Sequence, residues 1–175
     1  MAIMQRITIC GNSASGKSTF SEQLATVSGL PVYHLDLIQF QPGWQKTPER
    51  EFAAIHNQWL AQPNWIIDGV GDWEPLKQRF EAADTILYLD FPVEYCLQRA
   101  QERLKKDKIS PDPFVPENSP YEAKADQQEK VIKFFQQEWR PKILRLMASL
   151  REGRNLFVFT QPQMLEDFLA ENFNA

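Results

Sequence analysis

Gly11-Asn12-Ser13-Ala14-Ser15-Gly16-Lys17-Ser18 carries the spacing G-x-x-x-x-G-K-[ST], and its reading decides the fold. The glycines let the backbone wrap tightly, so that successive N–H groups of Asn12, Ser13, Ala14 and Ser15 aim at one point. With the N-terminus of the helix that follows, they make an anion site. Lys17 can reach β- and γ-phosphates, Ser18 can place its hydroxyl on Mg²⁺, and Thr19 completes the candidate ATP-binding set. The flanks have the required order. Gln5-Arg6-Ile7-Thr8-Ile9-Cys10 before the loop is apolar and β-branched, as a buried strand should be. Phe20, Leu24 and Val27 after it fall at i, i+4, i+7, the stripe of an amphipathic helix, and Gly29 sits where its C-terminal cap belongs.

Outward from the loop, apolar stretches alternate with helical stripes, and no internal repeat interrupts them. This is the pattern of βαβ units around a parallel sheet, an α/β fold of one domain over residues 1–175. The strands are expected at Met4–Cys10, Val32–His34, Trp65–Asp68, Thr85–Asp90 and Leu156–Thr160. A helix with the stripe Phe52, Ile55, Trp59 is expected to start with Thr47 as N-cap and Pro48 at its first position. Shorter and longer helices follow at Pro75–Ala82 and from Pro92 to about Lys105. Pro111, Pro113, Pro116 and Pro120 forbid one helix over 105–120, so that stretch reads as a lid, with few large apolar side chains to hold it still. Ile132, Phe135 and Trp139 mark the next helix, which Pro141 should interrupt or kink. Ile143, Leu146, Met147 and Leu150 continue the pattern, and Met164, Leu165, Phe168 and Leu169 close the chain with a last helix.

The hydrophobic content of 43% and charged content of 24% are those of a soluble globular chain. A net charge of −4 opposes a broad nucleic-acid footprint, which needs a basic face. Cys10 and Cys96 read as reduced thiols of a cytoplasmic protein. No apolar run has the length of a membrane span, and the first strand begins too close to Met1 to leave room for a signal peptide. Nothing in the sequence fixes the oligomeric state.

The remaining chemical positions lie where strands end. Trp65-Ile66-Ile67-Asp68-Gly69 is an apolar strand ending in a carboxylate, which a phosphate-bound Mg²⁺ needs, although Asp-Gly is otherwise a turn dipeptide. Asp36, just beyond the second strand, sits on the rim where α/β sheets bind ligands and can orient or deprotonate an acceptor hydroxyl. His34 nearby reads as a hydrogen-bonded structural histidine, and His56 as a surface residue. Arg99 and Arg103, at i and i+4, project from one helix face toward a polyphosphate. Arg140, the first arginine after the lid, is expected to swing in as the lid closes. Phe40, Trp44 and Trp73 either stack on a planar substrate or are core beneath a long loop.

Taken together, the phosphate loop, His34-Leu35-Asp36 with Pro42-Gly43-Trp44, WIIDG, ADTILYLDFP and Arg140–Leu144 (RPKIL) resemble the adenylate-kinase-related DNA topology modulation proteins over nearly the whole chain. The resemblance implies a P-loop, nucleoside/nucleotide-kinase-like three-layer sandwich with a five-stranded parallel sheet in the order 2-3-1-4-5. It also implies ATP and Mg²⁺, with Gly11 to Ser18 on phosphate, Asp36 at the acceptor, Asp68 at magnesium, and Arg99 with Arg103 on nucleotide. Two stretches depart from the family's pattern: Val70-Gly71 stands in place of Asn-Tyr, and Ser110-Pro111-Asp112 in place of Arg-Pro-Asp. The expected activity is phosphoryl transfer from ATP to a small-molecule acceptor of nucleoside or nucleotide type. The rival is a nucleotide-binding regulatory protein of little turnover, acting on DNA topology or gene expression through a partner. A coherent basic stripe away from the nucleotide site would favour that rival.

Overall fold

The computed structural model describes residues 4–173. Strand β1 (Arg6–Gly11) leads through the phosphate loop into helix α1 (Lys17–Ser28), which ends with the Gly29 N–H donating to the Ala25 carbonyl at 2.9 Å. β2 (Val32–His34) is followed by a single turn, α2 (Asp36–Gln39), and a small hairpin of β3 (Phe40–Gln41) and β4 (Gln45–Lys46) that the sequence did not announce. Next come α3 (Glu49–Leu60), β5 (Trp65–Asp68), α4 (Trp73–Ala82), β6 (Thr85–Leu89) and α5 (Val93–Asp107). α6 (Ala125–Phe134), α7 (Arg140–Ser149), β7 (Asn155–Phe159) and α8 (Gln163–Phe173) complete the chain.

The central sheet has five strands in the order β2-β5-β1-β6-β7, with every pairing parallel. Leaving out the hairpin, this is the expected order 2-3-1-4-5. Alternation along β1 divides the core. Ile7 and Ile9 face Phe20 and Leu24 of α1 and Phe168 of α8, while Cys10 joins Phe80 of α4 and Ile143 and Met147 of α7 on the other face. Helices thus cover both faces of the sheet, as a parallel sheet requires.

Two expectations shift locally. Pro48 keeps an extended ψ of 137°, so α3 starts one residue later, at Glu49. Pro141 does not break the helical rod. The backbone widens into a π-turn over Phe135–Trp139, which accommodates a ring that lacks an N–H in the first turn of α7.

Candidate active site

A cleft of about 880 Å³ opens at the carboxyl ends of the strands, within the usual range for small-ligand sites. Its floor is the phosphate loop. Gly11 (φ 156°) cannot be replaced there without strain, because a Cβ would stand 2.7 Å from the Leu89 carbonyl oxygen of β6. Lys17 curls back over the loop and donates to the Asn12 carbonyl at 2.7 Å. It forms no salt bridge among the described residues, and burial pushes its ammonium below the usual lysine range. The Ser15 hydroxyl and the Arg103 Nε are buried with no hydrogen-bond partner among the described residues. An unpaired lysine and orphaned donors at a nest of amides suit a polyphosphate. Asn12 ties the loop to α6, its Nδ2 donating to the Ile132 carbonyl at 2.9 Å. Ser18 and Thr19 line the cleft.

Asp68 ends β5 and stands opposite His34 of β2 in the sheet register. It is 3% exposed, and its Oδ2 accepts from the Ser21 hydroxyl at 2.7 Å and from His34 Nδ1 at 2.9 Å. The other ring nitrogen, Nε2, lies 2.7 Å from Glu22. Burial works against a charge on His34, but the two carboxylates outweigh it and raise its pKa. The structural reading of His34 therefore holds, with Asp68 as its main partner. Asp68 Oδ1 accepts no hydrogen bond among the described residues and remains available within the cleft. No group of three or more His, Cys, Asp or Glu side chains among the described residues has metal-holding geometry. Mg²⁺ asks for no such group: one carboxylate, the Ser18 hydroxyl, phosphate oxygens and water fit its octahedral demand.

Asp36 opens α2 beside this centre. Burial raises its pKa, Lys17 opposes the rise, and the Asp68 charge reinforces it. The loop after Asp68 is fixed from below by Arg79 of α4, which the sequence reading missed. Its Nη2 donates to the carbonyls of Gly69 at 3.1 Å and Val70 at 2.6 Å. Gly69 (φ 123°) is held tightly, since a Cβ would meet that of Leu35 at 2.6 Å. The detectable signal was a charge on the buried stripe of α4 between Leu76 and Phe80. His56 is likewise not a surface residue. It is 1% exposed, stacks on Phe52, and accepts from Arg79 Nη1 at 3.3 Å.

The three arginines separate. Arg103 reaches the loop: its Nη2 lies 3.4 Å from the Ser13 hydroxyl and 3.2 Å from Gln128 Oε1, and its guanidinium stacks on Tyr121 at 3.9 Å. Arg99 is exposed on the rim of the cleft. Arg140, expected to swing in as the lid closes, does not line the cleft here. A nearer carboxylate holds it: Nε and Nη2 grip the two oxygens of Asp90 at 2.7 and 2.8 Å.

The 105–120 segment is packed, not bare. Asp107 accepts from the amides of Asp112 (3.3 Å) and Tyr121 (2.8 Å), and the Tyr121 hydroxyl donates to Asp112 at 2.9 Å. Val115, Ser119 and Tyr121 are buried, and Phe114 lies on the His34 ring with centroids 4.5 Å apart. The Gly43 amide donates to the Ser119 hydroxyl at 3.1 Å, and Trp44 Nε1 to the Pro120 carbonyl at 2.8 Å. Trp44 is thus occupied, wedged against Phe40 and Tyr121, and Trp73 packs edge-on against Trp139.

No protein-family profile and no curated protein matches the chain. Solved structures do. Shikimate kinase from Acinetobacter baumannii, in complex with shikimate, has a TM-score of 0.58 at 18% identity, over 97% of this chain and 93% of the other. Deoxyadenosine kinase from M. mycoides has a TM-score of 0.54 at 12% identity, over 96% and 97%. A gluconokinase from Sinorhizobium meliloti 1021 has a TM-score of 0.52 at 15% identity, over 99% and 92%. The chain has the fold of the small P-loop kinases.

Proposed function

We propose that this protein transfers the γ-phosphoryl group of ATP to a small-molecule acceptor of nucleoside or nucleotide type, as the motif resemblance to the adenylate-kinase-related DNA topology modulation proteins implies. The observation that carries this reading is the convergence of Lys17, Asp36, Asp68 and Arg103 on one cleft over the phosphate loop. In it, the loop amides and Lys17 hold the phosphates, and Arg103 meets developing negative charge from the lid side. Asp36 takes the proton of the acceptor hydroxyl as the new O–P bond forms and the bond between γ-phosphorus and the β–γ bridging oxygen breaks, releasing ADP. Its raised pKa makes it a better base than a solvated carboxylate. Asp68 and Ser18 would hold Mg²⁺, which supplies charge neutralisation on the phosphates. His34 and Ser21 keep Asp68 in one orientation. Arg99 joins from the rim when nucleotide is bound. Arg140 is reserved to the Asp90 pair.

A cytoplasmic setting belongs to the same reading, since both cysteines are buried and unpaired. Among the described residues no helix is long and apolar enough to cross a membrane. The test is a panel of acceptors with ATP consumption as readout. It should include nucleosides, nucleoside monophosphates, and the substrates of the structural neighbours: shikimate, gluconate and deoxyadenosine. Acceptor-dependent ADP release that Asp36→Asn removes would support the proposal. Tight ATP binding with no turnover on any member would favour the regulatory rival.

A further inference from the structure

Lys124 closes the short 3₁₀ turn Tyr121–Lys124 between the lid and α6, and its ammonium faces the cleft. It lies 3.9 Å from the centroid of the Phe40 ring and 3.8 Å from that of Trp44. Both rings belong to the hairpin next to Asp36, and the rings stand nearly perpendicular, at 83°. The hairpin is itself locked to the lid through Ser119 and Pro120, so the lysine is held in place, not waving from a surface.

This cation has no hydrogen-bond acceptor and no salt-bridge partner among the described residues. Burial lowers its pKa, the charge of Asp36 opposes that, and Arg103 adds to it. Cation–π contact alone explains such a residue poorly. A methionine would fill the same space between Phe40 and Trp44 without desolvating an ammonium. The phosphate end of the cleft has its own cations, Lys17 and Arg103, whereas Lys124 stands at the Asp36 end.

We propose that Lys124 anchors an anionic group of the acceptor, so that the molecule phosphorylated here carries a phosphate or carboxylate in addition to the hydroxyl that Asp36 activates. The proposal rests on the kinase reading. Phe40 and Trp44 serve as walls that orient the ammonium and exclude water from it. Arg103 repels Lys124, which keeps the two cations on separate anions.

The test uses the full protein saturated with Mg²⁺ and a non-hydrolysable ATP analogue, so that the nucleotide site is filled. Inorganic phosphate and, in a separate arm, acetate are titrated at constant ionic strength, and tryptophan fluorescence is read because Trp44 touches the ammonium. Saturable binding of at least one ion is expected. Lys124→Met, which keeps the hydrocarbon between the rings, should weaken it about tenfold or more, and Lys124→Arg should restore most of it. Which ion binds tells a phosphate-bearing acceptor from a carboxylate-bearing one. Absence of saturable binding in both arms, equal affinity in Lys124→Met, or binding that vanishes once the analogue is loaded would each overturn the proposal. A protein that fails to load with the analogue would instead contradict the kinase reading on which it rests.

Discussion

Asp68 ends β5 and Asp36 opens α2 two residues beyond β2, and their surroundings differ. Asp68 is clamped by His34 and Ser21 and, among the described residues, offers one free oxygen; Asp36 has no side-chain hydrogen-bond partner among them and is surrounded by Lys17, Lys124 and Arg103. Asp68→Asn should therefore weaken the magnesium-dependent part of ATP binding, by about 10–100-fold in apparent Mg²⁺ affinity. Asp36→Asn should leave Mg·ATP binding nearly unchanged and lower turnover by about 10²–10⁴-fold. Calorimetry in the presence and absence of Mg²⁺, beside steady-state rates, separates the two. A shared binding defect would show that the division of roles is wrong. Both positions were legible in the sequence as polar ends of apolar strands. Glu22 as the far partner of His34 was not, because the contact forms only when α1 packs against β2.

His56 supplies a pH signature of folding. Burial, helped by the neighbouring Arg79 charge, lowers its pKa from 6.5 to about 4. The unfolded chain then binds a proton between those values that the folded chain does not, so stability falls as pH drops through this window, by about 3 kcal/mol in full. His34 runs the other way, since its raised pKa favours the folded state on the acid side. Comparing the protein with His56→Gln isolates the first effect. In urea denaturation, the stability advantage of the histidine should shrink by about 2 kcal/mol or more between pH 7.5 and pH 4.5. An advantage constant over that range would contradict the assignment. A histidine on a helix gave no sequence clue to its burial, because its reason is an arginine two elements away.

Among elements, the strap from Asp107 to Lys124 shows how far composition reaches. Its prolines excluded a helix, and it does lie over the cleft. Its fastening depends on side chains that composition cannot pair: Asp107 accepting from two amides, and Tyr121 between Arg103 and Trp44. A strap so fastened should be cut slowly by trypsin at the exposed Lys105, Lys106 and Lys108 even without nucleotide. Tyr121→Ala removes the ring beneath Arg103 and the hydroxyl on Asp112. Loss of even about 1.5 kcal/mol of local stability raises the open population about tenfold, and cleavage with it. Equal cleavage rates in the two proteins would mean that Tyr121 does not hold the strap closed. Arg140 is the converse lesson. Its place after the lid pointed to the phosphates, but the bidentate Asp90 pair at the end of β6 decides its direction.

At the scale of the whole molecule, the alternation of apolar runs and helical stripes was enough to read an α/β domain, and the loop at 11–18 was enough to place its working edge. Pattern alone did not order the strands; the motif resemblance did, and the sheet agrees with it. The hairpin at residues 40–46 and the π-turn before α7 stayed hidden, since two-residue strands and a widened turn leave no periodic trace. The hairpin shapes the proposed acceptor end, where α2 and Lys124 meet. The nucleotide end is built from the loop and α5, which were readable throughout. The chemistry proposed for the cleft stands on Lys17, an ammonium in the loop with no salt bridge among the described residues. Isothermal titration of Mg·ATP into the protein and into Lys17→Ala, with circular dichroism to verify the fold, addresses it without any knowledge of the acceptor. One ATP should bind per chain, and the substitution should weaken binding by about 10–150-fold with the fold intact, the effect of one charge-assisted contact. No binding to the unaltered protein, or the same affinity in both, would contradict it.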